Sequence, residues 1–366
     1  MTAELYIRLI AETIVAFGLI YLVQRPLRKV KHRFVLGIIF VLKAVAAVYL
    51  GLVLIALDYK IVWNHPYPFG ALYLAMMGDL AKDVVCFIIS LFRGKRSGET
   101  LKFVTALVLT AAFAAFNILN MQAIRANYHQ IESEKLTHPY KLVFLADLHY
   151  GSAQSRETVD KALEEIAALK PDYLLLGGDI TDEYTTKEEM EYIYRKIGSL
   201  GLETYYVYGN HDRQDRGELM LGATQYTETE LKDAIEGNGI RILCEDFVEI
   251  NEDLILLGRE DPTHPGQRTA VKDLPDVPEG CYIICLDHTP YQNEEIEELG
   301  ADLQISGHTH AAQFFPEMTV YKLLGLNVYG DYTIGDTHLV VSPGISGWAL
   351  PLRSEGHSAY EVFELR

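Results

Sequence analysis

Hydrophobic positions fall into two regimes along the chain. Over residues 3–23, 34–57, 70–92 and 101–122 they run almost unbroken, each run close to the ~20 residues a helix needs to cross a bilayer. From residue 141 they shorten into β-rich bursts that alternate with helical periodicity. Leu142–Ala146, Tyr173–Leu176, Tyr205–Tyr208, Tyr282–Leu286 and Asp302–Ile305 read as buried strands. Helices are expected near 155–169, 187–199, 228–237 and 292–299, with a strand meander over 240–258 around Asn251-Glu-Asp253. The pattern predicts a four-helix transmembrane region over 1–125, a juxtamembrane connector over 126–140 and an α/β domain over 141–366. In that domain helices should flank a layered β-sandwich. Even fully extended, residues 123–140 would reach only ~60 Å, which keeps the domain close to the membrane.

Charge divides the chain at the same place. Residues 1–125 hold 14 Lys and Arg against 6 Asp and Glu, a balance of +8, and the remainder carries −26 of the net −18. So acidic a domain should repel nucleic acids and anionic lipid surfaces, so a nucleic-acid binder is not expected. The loop from Arg25 to Arg33 and the loop Arg93-Gly-Lys95-Arg96 are dense in positive charge, whereas Tyr59–Phe69 is aromatic with Lys60 alone. The positive-inside rule then places the two basic loops in the cytoplasm, and the N-terminus and the C-terminal domain outside it. A cell-membrane, multi-pass protein is the expectation. Inside the apolar runs, Lys43 and Asp83 fall at about the same depth, near Asp79 and Lys82. Such charges read either as a structural pair that fixes helix packing or as a functional site.

The four cysteines, Cys86, Cys244, Cys281 and Cys285, form no CxxC pair, and neither a zinc knuckle nor a disulfide framework is indicated.

Each predicted strand ends in residues that bind metals. In order these are Asp147-Leu-His149, Gly178-Asp179 with Asp182, Gly209-Asn210-His211-Asp212, Asp287-His288 and Gly307-His308-Thr-His310. Loops at the carboxyl ends of strands in α/β sheets converge on one crevice, so five clusters imply one site. Carboxylate, imidazole and amide without thiolate suit Mn foremost, with Fe, Zn or Mg as alternatives. Seven ligands exceed what one tetrahedral ion takes, so two divalent ions fit the count. Glycines before Asp179, Asn210 and His308 should let the chain turn sharply there.

The ordered pattern DxH, GDxxD, GNH(D/E), an isolated His and GHxH resembles that of the metallophosphoesterase (calcineurin-like phosphoesterase) superfamily. The resemblance covers about residues 139–366, and the Gly344–Arg353 segment resembles a loop of membrane-associated bacterial members. It implies that Asp147, His149 and His310 hold one metal, that Asn210, His288 and His308 hold the other, and that Asp179 bridges them. It further implies that His211 meets the leaving group or a phosphate oxygen and that Asp182 orients its neighbours. Ala311 and Ala312 stand where those members carry Gly-Gly, which should affect backbone freedom rather than metal binding. The implied activity is direct hydrolysis of a phosphoester, preferably a diester, by a water that the two ions acidify, and the short tether with the outward topology favours a lipid or lipid-linked phosphoester at the outer membrane surface. A receptor or transporter with a regulatory phosphoesterase domain is the alternative, motivated by the charges at Asp79–Asp83. Arg213 and Arg353 are weaker candidates for phosphate contacts, and His129, His138, His264, His338 and His357 match no motif.

Overall fold

The protein was described from a computed structural model, which covers residues 3–24, 33–56, 66–215, 217, 221–264, 266 and 268–366. Four helices occupy the apolar third: α1 (Ala3–Val23), α2 (Arg33–Ala56), α3 (Pro66–Arg93) and α4 (Glu99–Gln122). The basic loop Arg25–Arg33 lies almost wholly outside the described residues. α3 is the central helix, packed against α1, α2 and α4. Its contact with α4 is close because Gly78 has no side chain: a Cβ there would lie 2.7 Å from the Thr110 Cα. The outward faces are apolar, with Ile7, Leu22, Phe34, Leu42, Phe92 and Leu119 exposed.

The four expected apolar helices are present, but their composition differs from four uniform spans. Among the described residues, α4 alone is long and apolar enough, with few enough charges, to cross a membrane on those criteria, and the apolar run of α2 is shorter, Phe34–Leu50. In α3 the interruption is Asp79, Lys82 and Asp83. They pair within the bundle: Lys43 lies 2.7 Å from Asp79 and 2.6 Å from Asp83, and Lys82 lies 2.7 and 2.8 Å from the same two carboxylates.

Two six-stranded sheets form the rest. The first has the order β1-β12-β2-β3-β4-β5 and the second β10-β11-β9-β8-β7-β6. Their strands are β1 (Arg125–Ile131), β2 (Tyr140–Leu145), β3 (Tyr173–Leu176), β4 (Glu203–Tyr206), β5 (Ile240–Ile242), β6 (Asp246–Glu249), β7 (Leu254–Gly258), β8 (Tyr282–Leu286), β9 (Leu303–Ser306), β10 (Gly330–Ile334), β11 (Thr337–Val341) and β12 (Ala359–Leu365). Helices α5 (Arg156–Ala168), α6 (Lys187–Gly198) and α7 (Glu228–Glu236) pack on the outer face of the first sheet, and α8 (Asn293–Leu299) on that of the second. Successive strand residues point to opposite faces. On β2, Val143 and Leu145 meet the helices, while Leu142 and Phe144 meet Ile284, Leu303 and Ile305 of the second sheet. Both faces of the first sheet are therefore buried, which is why its strands read as continuous apolar runs.

Three details depart from expectation. The first part of the connector over 126–140 belongs to β1, which pairs in parallel with β12. Its charged, half-exposed sequence hides the strand, and only Ala123 and Ile124 separate it from α4. The meander over 240–258 is split, because β5 joins β4 in the first sheet while β6 and β7 form a hairpin in the second. A short helix, α9 (Glu317–Leu323), and the pair β10–β11 follow the last metal-binding motif.

Candidate dinuclear metal centre

The strands β2, β3, β8 and β9 end on the edge where the two sheets meet, and the turns after them supply most of the site. One ligand atom from each of Asp147, His149 and His310 lies within 4.8 Å of the others, and the same holds for Asp179, His288 and His308. Each nest draws on both sheets. Asn210 joins the second nest, its Oδ1 2.7 Å from His308 Nδ1. Asp179 faces both: its Oδ2 lies 3.0 Å from His288 Nε2 and 3.8 Å from His149 Nε2.

Ring nitrogens are fixed from behind. Nδ1 of His149 donates to Asp182 at 3.2 Å, that of His288 to the Gly177 carbonyl at 2.8 Å, and that of His310 to the Ser346 carbonyl at 3.0 Å. Each bond fixes the ring with Nε2 turned into the nest, the nitrogen it would offer to an ion. Nε2 of His149 and of His288 is buried and makes no hydrogen bond, a costly arrangement unless an ion is the intended partner. Ligands on one ion stand about 3.0–3.6 Å apart at bond lengths near 2.1 Å. The observed Asp179–His288 and Asp147–His310 separations, 3.0 and 3.6 Å, match that spacing. The residues fit two divalent cations.

Backbone strain concentrates here. Asp147, His149, Asp179, His308 and His310 all have positive φ, between 44° and 71°, at a cost of order 1 kcal/mol or more each. The candidate ligands themselves make the sharp turns, and of the expected glycines only Gly178 has positive φ. Gly209 and Gly307 serve close approach instead, since a Cβ on either would strike the carboxylate of Asp179 or Asp147. Ala311 and Ala312 also have positive φ, 49° and 63°, so the alanines adopt the conformation that glycine would take without strain.

His211 stands beside the nests. Its backbone N–H donates to Asp179 Oδ1 at 2.8 Å, and its Nδ1 donates to Glu183 at 2.8 Å. Burial alone would lower its pKa, but the Glu183 and Asp179 carboxylates outweigh that and push it up to about 9. Trp348 stacks on the ring at 5.3 Å. Burial, opposed by His288 and reinforced by Asp179, raises Asp147 to about 6, whereas Asp179 is held well below the usual range because His288 and His211 outweigh its burial.

Glu183 is a candidate site residue that the motif reading passes over. It adjoins Asp182, and only the fold turns it toward His211. The two arginines are committed elsewhere. Arg213 makes a bidentate pair with Glu260 and lies over the Tyr208 ring. Arg353 is fully buried and donates to the carbonyls of His310, Pro343 and Ser346. It therefore braces the backbone of a ligand rather than meeting substrate. His129, His138, His264, His338 and His357 have partners away from the centre, namely Glu361, Asp253, Asp215, Asp331 and Asn127.

A family model described as calcineurin-like phosphoesterase matches residues 140–312. The match, over just under half of the chain, makes this segment similar to a calcineurin-like phosphoesterase domain. Among its relatives, an uncharacterized metallophosphoesterase of Helicobacter pylori is 30% identical over 224 residues, 60% of this chain and 58% of that protein. A transmembrane protein with metallophosphoesterase domain from Danio rerio is 26% identical over 292 residues, covering 72% of this chain and 62% of its own length. The phosphodiesterase YaeI of Escherichia coli is 29% identical over 220 residues, 56% of this chain and 76% of the relative. The chain thus spans about three fifths of the length of the first two.

Proposed function

We propose that the chain is a metal-dependent phosphoester hydrolase, in preference a phosphodiesterase, that works at the outer surface of a membrane on lipid or lipid-linked phosphoesters. The observation that carries the hydrolytic reading is the pair of nests joined at Asp179, with two buried imidazole nitrogens left for cations. Asp147, His149 and His310 would hold one ion and Asn210, His288 and His308 the other, with Asp179 between them. Two divalent cations there, Mn foremost, would supply charge for the phosphate oxygens and lower the pKa of a water that attacks phosphorus. His211, its Nδ1 held by Glu183, has Nε2 left to protonate the leaving oxygen or to meet a phosphate oxygen. No nucleophilic side chain is needed, so hydrolysis is direct.

The membrane reading rests on four helices with apolar outer faces, including α4. The domain packs against the N-terminal half of α3 and the C-terminal end of α4, through Tyr73, Asn117 and Asn120. The basic loop Arg93–Arg96 is at the opposite end, which favours an extracytoplasmic domain. A Danio rerio relative that is named a transmembrane protein supports the same reading. The receptor or transporter alternative is carried by the bundle network alone, whose two cations and two carboxylates are mutually paired, as structural and functional intramembrane charges both are; charge-neutral substitutions there that abolish function while hydrolysis persists would favour it.

The test is an assay of purified full chain with Mn²⁺ on soluble aryl phosphodiester and phosphomonoester, beside Asp179→Asn as blank. Turnover of the diester that the variant lacks supports the proposal, and absence of turnover by the metal-loaded wild type rejects it.

A further inference from the structure

Beyond the four helices, the described residues expose five large apolar side chains: Tyr128, Leu221, Phe315, Leu323 and Leu324. Three fall within ten residues of one another, on the segment that starts just after His310. Leu323 and Leu324 are 83% and 69% exposed, at the free end of α9. A soluble domain gains nothing from apolar residues at such a tip.

The bundle gives the height of this segment. The Tyr73 hydroxyl donates to the Phe315 carbonyl at 2.8 Å. Tyr73 and Arg93 lie on the same helix, α3, and the twenty residues between them rise about 30 Å, the thickness of a bilayer's hydrocarbon core. With Arg93 at the inner boundary, Tyr73 and the Phe315 carbonyl lie at the outer one. The segment is also continuous with the helices. Phe314 sits in the core of the bundle with Tyr73, Leu74 and Leu352, its ring edge-on to Tyr73 at 5.3 Å, and α9 lies against α2. Lys322, beside the leucines, is exposed and puts a cation on this segment that an anionic lipid surface would attract, whereas the domain as a whole is acidic.

From this we infer that Phe315–Leu324 is a membrane-interfacial element: α9 rests its apolar end in the outer leaflet and holds the metal centre over lipid headgroups, whose phosphoester is the substrate. The inference deepens the hydrolase and membrane readings and rests on both. It explains why one short stretch carries a metal-site residue at its start and an apolar tip at its end. A tip seated among acyl chains would give the site access to a phosphoester that stays in the membrane plane.

The experiment uses the full chain in vesicles of phosphatidylcholine with phosphatidylglycerol. Leu324→Cys, on a Cys244→Ser background, carries an environment-sensitive fluorophore. Quenching by lipids spin-labelled near the headgroup, with protection from aqueous iodide, is the expected result, and free quenching by iodide overturns the inference. In parallel, Leu323→Glu with Leu324→Glu should lower hydrolysis of vesicle phospholipid about tenfold or more and leave soluble aryl phosphodiester hydrolysis unchanged. An equal fall on both substrates, or no fall on vesicles, overturns it. A wild type inactive on the soluble diester is a separate failure, that of the hydrolase reading, and leaves the quenching result to decide where α9 sits.

Discussion

The indole of Trp348 lies over the imidazole of His211, ring centroids 5.3 Å apart and planes inclined by 22°. Four residues on, Leu352 is buried in the helix bundle with Leu350, and Gly347 donates its N–H to Met121 Sδ at the end of α4. One loop therefore connects the helices to the ring that stands beside the metal nests. Stacked aromatic pairs contribute about 0.5–1.5 kcal/mol. Trp348→Ala should lower kcat by up to about tenfold, with metal content unchanged, and Trp348→Phe should recover most of it. Metal analysis beside steady-state kinetics checks this.

Glu183 and His211 should behave as one unit. His211→Ala is expected to cut turnover by about 10²-fold or more while metal content stays near wild type. Glu183→Gln should fall in the same direction, and the double variant should be little worse than His211→Ala alone, since acting residues of one unit are non-additive. Loss of metal from His211→Ala would instead make that residue a ligand.

Metal stoichiometry separates Asp179 from Asp147. Asp179→Asn should lose both ions and Asp147→Asn mainly one, as read by elemental analysis of purified protein. Each nest draws ligands from both sheets, so chelation should also lower the melting temperature, and added Mn²⁺ should restore it.

These residues were legible because metal ligation needs particular side chains at strand ends, and their order survives any uncertainty about strand boundaries. β3 and β8 were read with their observed limits for a related reason: both are short apolar runs buried on two faces. β1 was not legible. Arg125–Ile131 holds one arginine, one histidine and two amides, and it is a strand only because β12 supplies a parallel partner. Glu183 was hidden by its neighbour, since nothing in the spacing says which of two adjacent acids faces a histidine. The Phe315–Leu324 tip shows its purpose only when its height along α3 is known.

Glu317 provides a pH test. Its carboxylate is fully buried with both oxygens lacking a hydrogen bond, and burial, reinforced by Glu355, raises it to about 9. The folded state therefore keeps a proton that the unfolded chain releases near its ordinary value of about 4.5. Stability should fall as pH rises between those values, by at most about 1.4 kcal/mol per unit. Glu317→Gln should remove that slope, so its gain in melting temperature over wild type should be larger at pH 8 than at pH 5.

Ala312 tests the strained turn after the last ligand. With φ of 63° it should be improved by Ala312→Gly, by about 1 kcal/mol, read as a rise in melting temperature without change in metal content.

β12 lies between β1 and β2, yet it is synthesised after every other strand of the two sheets. A nascent chain that has completed β1 and β2 must hold two unpaired strand edges open until residue 365 has emerged. Premature termination would then yield no partly active enzyme but a sticky intermediate, a target for chaperones and proteases. On this topology, closure of the first sheet would wait on its seven-residue strand β12.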